Sequence, residues 1–176
     1  MQPNRYLIAI LPPEPIAGEI LTLKEYFRDQ YNSKASLNSP AHITMHMPFE
    51  WRADRETKLV ETFTEFASKE NPFSIELKNF GSFPPRVIFA AVTKNPALED
   101  WQKRLLQFCK TRLDLFNALY RDEPFHPHVT LAFRDLKKDR FADAWEEFKD
   151  KSYHAVFECR RLSLLKHDGR SWREFS

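Results

Sequence analysis

The chain of 176 residues is 42% apolar and 14% aromatic and carries a formal net charge of +2. That composition excludes a disordered chain and supplies enough apolar mass for one globular domain or two closely joined lobes. The near balance of charge excludes a broad polycationic surface for duplex nucleic acid, but not a local basic site for one phosphate.

Residues 6–11 (Tyr-Leu-Ile-Ala-Ile-Leu) read as a buried strand ended by Pro12 and Pro13. Residues 14–31 carry Ile16, Ile20, Leu23 and Phe27 at helical spacing. A polar loop over 32–40 leads into an apolar strand from His42, which Pro48 is expected to close. Residues 53–69 form a second helix, with Leu59, Val60, Phe63, Phe66 and Ala67 on one stripe, and Asn71-Pro72 stops it. Residues 73–80 alternate apolar and polar as a half-buried strand, and 81–85 form a turn.

The order then begins again. Residues 87–92 (Val-Ile-Phe-Ala-Ala-Val) are another apolar strand. Asn95-Pro96 starts a helix carrying Leu98, Trp101, Leu105, Phe108, Cys109, Leu113 and Phe116. A polar stretch over 120–123 precedes a strand around His128, and a helix covers 141–148. Strands follow at 153–158 and 162–167, and Asp168-Gly169 turns the last of them into a hairpin with 172–175. Tyr6 precedes His42 by 36 residues and Val87 precedes His128 by 41, which is the pattern of an internal duplication. The expected organisation is a single domain over 1–176, made of lobes at about 5–80 and 86–175 that face each other across a cleft.

The repeat carries chemistry. His42-Ile43-Thr44-Met45 and His128-Val129-Thr130-Leu131 each set a histidine and a threonine two apart in an apolar run. Residues i and i+2 of a strand point to one face, so each segment offers an imidazole beside a hydroxyl and turns Ile43, Met45, Val129 and Leu131 into the core. Two histidines facing one substrate are a natural acid–base pair, because an unperturbed imidazole titrates near 6.5. Either can be the base. By the same parity His46 and His126 share these faces and are candidates to contact substrate or orient the pair. Arg86 and Arg134 could reach a phosphate, and Phe49, Tyr120 and Phe125 could stack on a nucleobase.

His42-Ile-Thr-Met-His-Met-Pro-Phe and Phe125-His-Pro-His-Val-Thr-Leu-Ala-Phe resemble the two signature motifs of the 2H phosphoesterase superfamily, nearest its bacterial 2′-5′ RNA ligase or RNA 2′,3′-cyclic phosphodiesterase branch. Met45 stands where leucine is usual, a change confined to a core-facing residue. The resemblance implies an α/β fold of the α+β type: two pseudo-symmetric lobes, each an antiparallel sheet with flanking helices, around a central groove. It also implies cofactor-free, metal-independent hydrolysis of cyclic or 2′-linked phosphodiesters. His42 and His128 would then be catalytic and Thr44 and Thr130 would bind phosphate, with RNA ends or small cyclic nucleotides as substrate.

Two other classes compete. His42, His46, His126 and His128 could form a metal site, although the repeated threonine would then be unexplained. A nucleotide-binding module without turnover is the other, although binding alone favours arginine or lysine over neutral imidazoles. Cys109 and Cys159 lack metal-ligand spacing and read as reduced core thiols. No apolar stretch approaches the roughly 20 residues that span a bilayer, and no signal-peptide pattern opens the chain. The expectation is a cytoplasmic monomer with no membrane partner.

Overall fold

A computed structural model describes residues 2–117 and 124–176. Among the described residues eight strands form one sheet in the order β6-β3-β4-β5-β2-β1-β7-β8, every neighbouring pair antiparallel. In chain order these are β1 (Pro3–Ile10), β2 (Ile43–Arg52), β3 (Phe73–Phe83), β4 (Val87–Val92), β5 (His128–Ala132), β6 (His154–Cys159), β7 (Ser163–His167) and β8 (Trp172–Glu174). The helices are α1 (Ile16–Tyr31), α2 (Glu56–Ala67), α3 (Pro96–Leu113) and α4 (Lys138–Phe148). Short 3-10 turns cover Ala35–Asn38 and Ala53–Arg55. The α+β architecture with antiparallel pairing is as the motifs imply. Among the described residues no helix is long and apolar enough to cross a membrane.

The sheet has two four-stranded halves that meet where β2 runs beside β5, and among the described residues only Ile43 and Val129 pair across that seam. These halves do not coincide with the sequence repeats. β3, which closes the first repeat, pairs with β4 and β6 of the second. β7, near the end of the second repeat, pairs with β1 of the first. Each half is therefore completed by strands from the other repeat.

Helix α1 lies against β5 and α4: Phe27 and Phe148 approach to 4.7 Å between ring centroids, and Tyr26 and Tyr31 both donate to the Glu147 carboxylate. Helix α3 packs on α2 and β2, with Phe66 and Phe108 5.0 Å apart. Its Asn95 cap accepts from the Leu98 amide at 3.1 Å and donates to the Ser74 carbonyl at 2.8 Å, fixing the helix start against β3. The helix ends at Leu113, so Phe116 lies beyond it and is exposed. The main core runs between helices and sheet, whereas Leu7, Ala9 and Leu165 form a small separate cluster with Leu11 and Trp172.

Strand β2 differs from its expected form in one instructive way. It does not stop at Pro48 but runs on to Arg52. Its register against β1 slips between Ala9↔Thr44 and Ile8↔His46, and again between Ile8↔His46 and Tyr6↔Phe49. Pro48 falls in the second slip, where the ladder does not need the amide hydrogen that proline lacks. Such irregularities insert residues and reset which face the following side chains take.

A close approach on β3 supports the site. A Cβ on Gly81 would lie 2.5 Å from Cε2 of Phe89, a ring held between Phe83 and His128. Gly81→Ala is expected to destabilise the protein by about 1–3 kcal/mol, the usual cost of overpacking, read by urea unfolding; an unchanged midpoint and slope would show that the ring yields freely.

Candidate active site

Parity holds where the two histidine strands meet. Ile43, Met45, Val129 and Leu131 are buried, whereas His42, Thr44, His128 and Thr130 are partly exposed. Antiparallel pairing of Ile43 with Val129 sets His42 level with Thr130 and Thr44 level with His128. Two adjoining cavities respect that pairing. One holds His42, Thr44 and Thr130, and the other holds Thr44 and His128. Neither threonine hydroxyl has a partner among the described residues, so both are free to donate to a ligand.

The histidines are held in the same way. Nδ1 of His42 bonds the Pro40 carbonyl at 2.8 Å, and Nδ1 of His128 bonds the His126 carbonyl at 2.7 Å. A carbonyl only accepts, so each Nδ1 carries the proton and each Nε2 keeps its lone pair for the cleft. Burial pushes His42 down to about 4; its bond to Pro40 opposes this, and the charges of Lys24 and His128 add to it. Burial also lowers His128, its bond to His126 opposing, with the nearby His126 ring lowering it further. The free site therefore holds two neutral imidazoles at neutral pH. Phe83 and Phe89 pack against the His128 ring at 5.1 and 4.9 Å.

The remaining candidates separate. Arg134 and Phe133 line the first cavity; His126 and Phe125 line the second. His46 is 1% exposed, with its ring against Phe49, Nδ1 on the Met47 carbonyl and Nε2 without a partner among the described residues. The slip opposite Ile8 breaks the alternation that would have set it beside Thr44. Phe49 is itself buried, stacked on Tyr6. Arg86 is exposed in the β3–β4 turn and lines neither cavity. Tyr120 lies outside the described residues. With His46 turned into the core, the four histidines do not converge, and among the described residues no group of three His, Cys, Asp or Glu is placed to hold a metal ion.

The site also uses groups outside the two motifs. The loop before β2 forms a cavity wall through Ala35, Ser36, Asn38 and Ser39. Asp135 anchors it, accepting from the Ser33 hydroxyl and the Lys34 and Ala35 amides, and Ser36 Oγ donates to the Leu131 carbonyl. Lys24, 2% exposed, donates to the Ser36 and Ser39 carbonyls, both at 2.9 Å, and desolvation pushes it down to about 8. A signal was there: Lys24 sits four residues after Ile20 and three before Phe27, on the buried stripe of α1. A lysine among those residues is a buried cation in need of partners.

The model of the 2′-5′ RNA ligase superfamily matches residues 12–171, and the chain belongs to that family. Among named relatives, a Bacillus mycoides (strain KBAB4) protein called "Putative phosphoesterase" is 28% identical over 163 residues, covering 90% of this chain and 86% of its own. A Bacillus cereus (strain AH187) protein of the same description is 29% identical over 160 residues with the same coverage. The fold is that of Escherichia coli LigT in its apo form (TM-score 0.66, 18% identity, 100% of this chain and 96% of that one). It is also that of TT0787 from Thermus thermophilus (TM-score 0.68, 18% identity, 98% and 95%).

The buried lysine has a measurable signature. Unfolded lysine keeps its proton up to its ordinary 10.5, whereas the folded side chain releases it near 8. Between those values the unfolded chain binds more protons, so the wild type gains stability as pH rises. Relative to Lys24→Met, wild-type stability is expected to climb from pH 8 to 10.5 in calorimetry; parallel curves would show no buried cation.

Proposed function

We propose that the protein hydrolyses RNA or nucleotide 2′,3′-cyclic phosphates, or related 2′-linked phosphodiesters, to monophosphates, with His42 and His128 as the acid–base pair. The observation that carries this reading is the matched geometry of the two His-Thr pairs: each imidazole keeps its Nδ1 on a carbonyl two residues back, and each stands level with the other strand's threonine. The likeness to phosphoesterases agrees, as does the crystallisation of LigT with 3′-AMP and with phosphate.

One neutral imidazole takes a proton from water through Nε2 as the water oxygen bonds to phosphorus. The P–O bond to one ribose oxygen breaks on the opposite side, and the second imidazole, protonated, gives its proton to that oxygen. The product is a phosphate monoester beside a free hydroxyl. Thr44 and Thr130 donate to the non-bridging oxygens as charge builds on them. A bound phosphate raises the affinity of nearby imidazoles for protons, which supplies the acid form that the free site lacks.

His42→Ala and His128→Ala are each expected to lower kcat by about 10²–10⁴ on a nucleoside 2′,3′-cyclic phosphate, followed by chromatography of the monophosphate. Turnover equal to wild type in both variants would remove the assignment. Because burial lowers both imidazoles, the bell-shaped profile of kcat/KM should peak below about pH 6.5. A maximum above about pH 7 would contradict the neutral-pair description.

A further inference from the structure

Most described arginines face a carboxylate, as Arg104, Arg112, Arg161 and Arg173 do. Arg5, Arg134 and Arg170 face none among the described residues, and all three line the cavity that holds His42. No carboxylate lines that cavity among the described residues. The hairpin turn itself explains why Arg170 stays free: Asp168 is occupied by Arg173 and by the Arg170 and Ser171 amides.

These cations belong to an ordered row. The register Tyr6↔Lys166 sets Arg5 level with His167, and His167 pairs with Trp172. Arg5, His167 and Trp172 thus cross three neighbouring strands in line. The Arg5 guanidinium lies 5.7 Å from the Trp172 ring centroid, and the His167 ring lies 5.0 Å from it. The row shares its face with the catalytic pair, since Arg5, Leu7 and Ala9 alternate on β1 and Ala9 pairs with Thr44. Ala9 is four steps along the strand from Arg5, a span of about 13 Å. Less the reach of an arginine side chain, that leaves room for more than one phosphate, floored by Leu7.

We propose that this arginine–tryptophan end of the cavity binds a second phosphate and its flanking nucleobase, so that the substrate is a nucleotide or strand end phosphorylated on the 5′ side of the reacting ribose. The inference rests on the phosphodiesterase reading above, because a phosphate held at 2′ and 3′ leaves only the 5′ oxygen to carry another. The unneutralised guanidinium forks hold phosphate oxygens in pairs, and the indole gives a stacking surface that tolerates any base.

The test compares binding of adenosine 3′,5′-bisphosphate with 3′-AMP by calorimetry in wild type, Arg5→Ala/Arg170→Ala, Trp172→Ala and Trp172→Phe. The bisphosphate is expected to bind on the order of 10- to 100-fold more tightly to wild type. That ratio should collapse towards one in the double arginine variant. Trp172→Ala should weaken both ligands, with rescue by Trp172→Phe. Equal affinities in wild type, or a ratio unchanged by the double variant, would overturn the inference. Turnover of adenosine 2′,3′-cyclic phosphate with and without a 5′-phosphate separates the two readings: hydrolysis of both at equal kcat/KM sinks only the subsite. Tight bisphosphate binding with no hydrolysis of either leaves the subsite standing and sinks the phosphodiesterase.

Discussion

The pairing of Ile43 with Val129 is the constraint on which the rest of the site depends. Among the described residues it is the one registered pair between the two halves of the sheet, and both of its side chains are in the core. Burial on one face is what makes a strand register definite, since a slip by one residue would send every apolar side chain to the wrong side. Here the same slip in either strand would carry that strand's imidazole and hydroxyl into the core. The packing that stabilises the molecule is thus also what aligns the two His-Thr pairs.

Rigidity around that seam comes from ordinary chemistry placed with care. Two carbonyls fix the tautomers of His42 and His128. Asp135 joins the segment after β5 to the loop before β2, so the two form one connected wall. Lys24 lies behind that wall as a buried cation that has carbonyls but no carboxylate among the described residues. Its field favours neutral imidazole and, with the three free arginines, favours an anion in the cavity.

Much of this was legible in the sequence because it is local. Two-residue periodicity marked the strands, and the doubled His-x-Thr marked which face of each stays out of the core. Non-local features were not legible. His46 went to the core because of a register slip between β1 and β2, which no pattern within β2 announces. The lobes suggested by the repeats differ from the halves of the sheet, since periodicity identifies a strand and not its neighbour. The row of Arg5, His167 and Trp172 draws on distant parts of the chain and exists only once β7 lies beside β1.

That exchange of strands has a consequence for how the molecule is made. Strand β1 is synthesised before the other seven, yet its outer neighbour β7 comes more than 150 residues later. Until then the β1–β2 ribbon presents an open edge of unpaired backbone groups, the feature that invites association between chains. Pairing of such distant segments also raises the contact order and slows folding. Neither half of the sheet can close on a nascent chain before β6 and β7 emerge, so the interval of synthesis up to that point is when this protein is most exposed to aggregation.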